Sequence, residues 1–349
     1  MKLTSAVLLA FLAAAQPGPG EDARRFAEIQ NKRARGEQLT PEDLEFQKQL
    51  AARRNAEYVK ANPPRESTGL VPLTEMGGKT YKAESGGLYG GGSNTPPAAH
   101  RDAGVRIARG IRPIEGKVVL LTIGMSNTTQ ESQAFVKLAA ADPDRNPELT
   151  IVDGAQGGQA ADTTANPRAK FWQVVEERLQ AAGVTSRQVQ AVWLKQAIIA
   201  PSQPFPAEAR RLEGYLTATL HNLHDRYPNL KIAYLSSRIY AGYARSALNP
   251  EPHAYESGFA VRWVVNDQIA GRPELNYDPA RGPVRAPWIA WGPYLWADGT
   301  SARQDGFVWT NDDLAADGTH PSMPGREKVA KLLLEFFKKD ATTRAWFQR

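Results

Sequence analysis

Ser126 stands where an apolar run ends. Residues 117–123 read Lys-Val-Val-Leu-Leu-Thr-Ile, and Gly124-Met125-Ser126-Asn127 follows at once. A hydroxyl between a buried strand and a helix lies at the mouth of a sheet. There the positive end of the helix favours an alkoxide or an oxyanion. The same residues would also serve as an ordinary helix cap, so alone they say little. Asp317-Gly318-Thr319-His320-Pro321-Ser322, just before the last helical stretch, changes the balance. An Asp and a His three residues apart on one turn can face each other. The carboxylate then fixes the imidazole tautomer, and the other ring nitrogen can take a proton from a serine. The chain has five His and no Cys. His100, His221, His224 and His253 do not cluster with acids at ligand spacing, and His221 and His224 fit a solvated helix face. No metal and no cofactor is expected.

These residues need a scaffold, and the hydropathy pattern supplies one. From about residue 113, short apolar runs (117–123, 149–152, 191–194, 231–235 and 288–291) alternate with helical patterns. The helical patterns fall near 129–141, 167–182, 206–226, 257–270 and 324–339. Strands buried on both faces and alternating with helices predict a parallel, doubly wound sheet in an α/β/α sandwich. Such sheets bind ligands beyond the carboxyl ends of their strands. The loops 124–128, 153–166, 195–205, 236–256 and 292–320 should therefore converge on one site. Several of them carry residues suited to a sugar: Arg238, Tyr240, Tyr255, Glu256, Trp291, Tyr294 and Trp296. Planar rings stack on sugar faces, and Arg or Glu bonds hydroxyls or acids. Ordinary packing under long loops would use the same residue types.

The order of these blocks resembles the SGNH/GDSL hydrolase superfamily over about residues 113–340. Gly-x-Ser-Asn follows the first strand, a Gly-rich turn follows the second, and Asp-Gly-Thr-His-Pro-Ser precedes the last helix. The resemblance implies a flavodoxin-like fold and a serine esterase with Ser126 as nucleophile, His320 as general base and Asp317 as its orienter. It also implies an oxyanion hole made by the Ser126 N–H, a glycine N–H of the second block and a side-chain amide of the third. The second block looks like Asp153-Gly154-Ala155-Gln156-Gly157-Gly158-Gln159. Gly158 is the expected donor there, with Gly157 as the alternative. The third block departs from the usual Gly-x-Asn-Asp and reads Trp193-Leu194-Lys195-Gln196-Ala197. Gln196 offers the same amide as Asn on a longer arm, and Lys195 could bring a charge instead. Met125 replaces the usual Asp of the first block.

The amino terminus reads as an export signal over residues 1–15: Lys2, then the apolar run Leu3 to Leu12, then Ala13-Ala14-Ala15 before Gln16. That run is too short to span a bilayer. Residues 16–66 form a charged helical extension, a hairpin or spacer in which Thr40-Pro41-Glu42-Asp43 starts a helix and Asn62-Pro63-Pro64 ends it. Its large apolar residues are too few for a core of its own. Residues 67–112 form a Gly-rich irregular segment packed on the main domain, 113–349. The stretch Gly86–Asn94 lacks the Lys-Ser/Thr of a phosphate loop, which excludes a nucleotide site. It would either pack as an irregular loop or rim the site with Tyr89. The net charge of +6 is scattered, with no basic-aromatic motif, which argues against nucleic acid as a partner. The expected protein is a secreted or periplasmic esterase acting on acylated carbohydrate, with acetyl as the expected acyl group. A lipase or thioesterase of the same superfamily, and a non-catalytic carbohydrate-binding protein keeping the fold, are the rivals.

Overall fold

The computed structural model describes residues 19–34 and 37–349. The expected signal segment, residues 1–15, lies outside them. The chain divides after Ala61. In the first unit, helices α1 (Pro19–Ala34) and α2 (Pro41–Ala61) form a pair. Thr40 and Asp43 cap α2 reciprocally. The Asp43 N–H donates to Thr40 Oγ1 at 3.2 Å, and the Thr40 N–H donates to the Asp43 carboxylate at 3.3 Å. Ile29, Phe46 and Leu50 are buried together, so this stretch does hold a small apolar cluster. Ion pairs Lys32–Asp43 and Arg53–Asp22, at 2.7 and 2.8 Å, brace it.

The second unit opens with a short hairpin, β1 (Thr80–Tyr81) and β2 (Glu84–Ser85), and helix α3 (Ala98–Arg109). Then come β3 (Val118–Gly124), α4 (Ser126–Ala140), β4 (Leu149–Asp153), α5 (Ala161–Ala165), α6 (Lys170–Ala181) and β5 (Val189–Lys195). After them come α7 (Ala207–Arg226), β6 (Ile232–Leu235), α8 (His253–Ile269), β7 (Trp288–Trp291), α9 (Met323–Lys339) and α10 (Arg344–Phe347). All pairings among β3 to β7 are parallel, in the spatial order β4-β3-β5-β6-β7. Counted from β3 as the first strand, this is the flavodoxin-like order 2-1-3-4-5. α4, α9 and α10 pack together on one face, while α5, α6, α7 and α8 pack together on the other. The result is a three-layer α/β/α sandwich.

Every residue of β3, β5, β6 and β7 is buried, which is why these strands are apolar runs without alternation. β4, one of the two edge strands, is only partly buried. The helix expected over 129–141 begins at Ser126, and the one expected over 167–182 is α6, with the short α5 ahead of it. Residues 62–97 run as a strap over the loops that follow β6 and β7. The Arg65 N–H donates to Gly242 O, the Leu73 N–H to the Tyr294 hydroxyl, and Trp291 Nε1 to Leu88 O. Asp298 accepts from the N–H groups of Thr68 and Gly69 at 2.7 and 2.9 Å.

Candidate active site

Ser126 is the first residue of α4, and the following polar residues fasten that helix to its surroundings. Asn127 Nδ2 donates to Thr319 O at 3.0 Å, Thr128 Oγ1 to Lys195 O at 2.8 Å, and Ser132 Oγ to Thr122 Oγ1 at 2.8 Å. The Thr129 hydroxyl donates to the Asp153 carboxylate. The start of α4 is thereby tied to β3, β4, β5 and the His320 turn at once. Gly124 makes this approach possible, because a Cβ there would lie 2.2 Å from both Lys195 O and Thr128 Oγ1. Asn127, Thr128, Glu131 and Ser132 are all buried. A polar stripe on the inward face of a helix is a signal the sequence offered and that went unused.

Ser126 Oγ lies 2.8 Å from His320 Nε2, and His320 Nδ1 lies 2.5 Å from Asp317 Oδ2. The other Asp317 oxygen accepts the N–H groups of Thr319 and His320, each at 3.0 Å. Partial burial pushes the Asp317 pKa up. The hydrogen bonds from the His320 ring and from the two N–H groups outweigh it and hold the carboxyl well below the usual range. An ionised Asp317 fixes Nδ1 as the protonated ring nitrogen and leaves Nε2 as the acceptor facing Ser126. Gly318 (φ 65°) makes the turn, and a Cβ on it would lie 1.8 Å from Tyr243 O. The Arg245 N–H donates to Asp317 O at 2.9 Å, so the loop after β6 seats this turn.

No protein-family model matches the sequence, and no curated protein does. Among solved structures, the chain is similar to protein YXIM of Bacillus subtilis, at 13% identity over 64% of this chain and 56% of that one, with a TM-score of 0.34. It is also similar to LAE5, an alpha/beta hydrolase enzyme from the metagenome of Lake Arreo, Spain, at 17% identity over 65% of this chain and 96% of that one, TM-score 0.34. The match thus spans just over half the length of the Bacillus protein. Both likenesses are distant, and the chemistry of the site rests on its own geometry.

The second-block turn sits beside Ser126. The Gln156 N–H donates to Gly124 O at 3.0 Å, and Gln156 Nε2 to Phe171 O at 2.9 Å. Arg178 Nη1 donates to the Asp153 and Ala155 carbonyls at 2.9 and 2.6 Å. Gly157 and Gly158 form the exposed tip. A Cβ on Gly157 would lie 3.9 Å from Ser126 Cβ, whereas one on Gly158 (φ 73°) would meet nothing within 4 Å. The glycine flanking the serine is therefore Gly157.

Gln196 is placed differently from the expectation. It is buried, and its Nε2 donates to Gln159 O at 3.1 Å and to Thr164 Oγ1 at 3.4 Å. Both amide hydrogens are spent tying the second-block loop and α5 together, so Gln196 is not a free oxyanion donor. Lys195 is committed as well. Its ammonium pairs with Glu131 of α4, and both side chains are fully buried. Burial pushes the Lys195 pKa down to about 8 and the Glu131 pKa up, with each partner opposing the shift of the other.

The residues expected to hold a sugar are mostly core. Tyr240, Tyr255, Trp291, Tyr294 and Trp296 are all buried, and their polar tips are taken. The Tyr240 hydroxyl donates to Arg65 O and the Tyr255 hydroxyl to Val71 O, each at 2.8 Å, and Trp296 Nε1 donates to Glu251 at 2.7 Å. Glu256 accepts the Tyr81 hydroxyl at 2.7 Å and Lys82 Nζ at 3.0 Å. These side chains anchor the strap. Tyr89 does the same, buried with its hydroxyl accepting the Trp291 N–H, so the Gly-rich loop is packing here and not a rim. Arg238 is also buried, but its Nε and Nη2 have no hydrogen-bond partner among the described residues.

Proposed function

We propose that this chain is a serine hydrolase that cleaves acyl esters through Ser126, His320 and Asp317. The observation that carries the reading is the unbroken line from Ser126 Oγ through both ring nitrogens of His320 to Asp317. In this mechanism His320 Nε2 takes the Ser126 proton as Oγ attacks the ester carbonyl. It then hands that proton to the leaving alcohol, giving an acyl-enzyme. A water molecule, deprotonated by the same nitrogen, releases the acid. The Ser126 N–H, first in its helix, and the N–H groups of the Gly157-Gly158 tip would hold the oxyanion.

The alcohol is proposed to be a carbohydrate and the acyl group small, an acetyl. With the loop aromatics buried, support for the sugar comes from the family resemblance and the export-type amino terminus. Export to a periplasm or the medium is proposed on the same segment. No helix among the described residues is long and apolar enough to cross a membrane. The test is a panel of p-nitrophenyl esters of rising chain length beside acetylated oligosaccharides. Preference for acetyl over longer acyl groups, with acetate released from the sugars, is expected. Preference for long chains would replace the substrate assignment, and turnover of no ester would end it.

A further inference from the structure

Asn127 follows Ser126 in the first turn of α4 and is 2% exposed. Its Nδ2 donates to Thr319 O at 3.0 Å. Apart from the Ser126–His320 bond itself, this is the one hydrogen bond between α4 and the turn 317–320 among the described residues. The carbonyl it reaches belongs to the Thr319–His320 peptide. The N–H of that same peptide donates to Asp317 Oδ1 at 3.0 Å. A trans peptide is planar, with its C=O and N–H on opposite sides, so one bond at each side fixes the tilt of the plane that carries His320. The two holds refer to different parts of the molecule. Asp317 lies on the same turn and moves with it. Asn127 lies on the helix that carries the nucleophile, so its bond sets the turn against Ser126. The turn has other bonds with which to form: the Ala315 N–H donates to His320 O and the Gly318 N–H to Ala315 O, each at 2.8 Å, and the Arg245 N–H to Asp317 O at 2.9 Å. For stability alone Asn127 is a poor choice. Its Oδ1 is sealed without a hydrogen-bond partner among the described residues, and an unmet buried acceptor costs the fold.

Resting on the esterase reading above, we propose that Asn127 is a positioning residue that holds the Thr319–His320 peptide in register with the start of α4, keeping His320 Nε2 in line with Ser126 Oγ. The Asp317–His320 pair keeps its own bonds without it. His320 Nε2 serves acylation and deacylation alike, so loss of register slows both half-reactions together. Asn127 is sealed from the ester, so binding is little affected. The signature is a fall in kcat with KM almost unchanged, because displacing a reacting group by about 1 Å costs on the order of 100-fold in rate.

The experiment uses p-nitrophenyl acetate at neutral pH, with the wild type, Asn127→Leu, Asn127→Ala and Ser126→Ala. Neither Leu nor Ala can donate to Thr319 O; Leu keeps the bulk of Asn, and Ala fits where that bulk does not. Each should melt cooperatively, and kcat per folded molecule should drop about 10- to 100-fold with KM within about threefold of wild type. The low-field proton resonance of the His320 Nδ1–H, bonded to Asp317, should persist in the folded Asn127 variants, because that pair lies on one turn. Wild-type kcat in a folded Asn127 variant overturns the inference. So does loss of the resonance, or failure of both variants to fold, since Asn127 would then build the turn or the core and not set its register. Full activity in Ser126→Ala would instead sink the esterase reading. An inactive Ser126→Ala beside fully active Asn127 variants sinks this inference alone.

Discussion

Two corners of the molecule lie at the same end of the same sheet, and they use their side chains in opposite ways. At the triad corner, polar atoms are partnered in a line and left partly open, with the His320 side chain 23% and the Asp317 side chain 45% exposed. At the aromatic corner, Tyr240, Tyr255, Trp291, Tyr294 and Trp296 are sealed, their polar tips bonded mainly to the strap of residues 62–97. Position beyond the carboxyl ends of the strands makes a residue eligible for binding. Whether it is available depends on what passes over it.

Substitution should separate the corners cleanly. The largest effect belongs to Asp317→Asn, which frees the imidazole tautomer. The kcat for an ester substrate should fall by about 10^4-fold, with the fold intact at neutral pH. The same variant carries a pH signature. The depressed pKa of Asp317 means its stabilising contribution is present above the unfolded pKa, about 3.9, and is lost as pH falls through the lower folded value. Melting temperatures of wild type and Asp317→Asn should therefore converge in acid. A gap that widens in acid would contradict the assignment of the shift.

Trp296→Ala probes the aromatic corner. It removes a fully buried ring and the donor to Glu251. Urea unfolding should show a loss of about 3–5 kcal/mol. The kcat per folded molecule, measured where the variant remains folded, should stay within a few-fold of wild type. A selective rise in KM for sugar esters with unchanged stability would return Trp296 to the binding surface and dissolve the contrast.

Much of this arrangement was legible in the sequence, for physical reasons that also explain the rest. The five strands stood out because burial on both faces demands continuous apolar runs, as in Val118–Ile123. Ser126, Asp317 and His320 stood out because their chemistry fixes residue type and because Asp317 and His320 are local on one turn. Helix α3 was missed because its buried face uses His100, Ala103, Gly104 and Ala108, which give no periodic run of large apolar residues. Which residues the 67–112 segment covers was not legible, because its contacts join residues far apart in the chain, such as Leu73 with Tyr294. Without the strap, a buried loop tyrosine and a sugar-stacking one have the same signature. Gln196 was misplaced for a related reason. An amide can donate to an oxyanion or tie two loops, and only the positions of Gln159 and Thr164 decide between them.

On the proposed mechanism, Ser126 is an activated nucleophile. The most direct measurement is covalent trapping with a fluorophosphonate, followed by peptide mass spectrometry. One adduct on the peptide carrying Ser126 is expected, formed rapidly in the wild type, far more slowly in His320→Ala, and absent in Ser126→Ala. Labelling at another serine, or equal labelling in His320→Ala, would contradict the account.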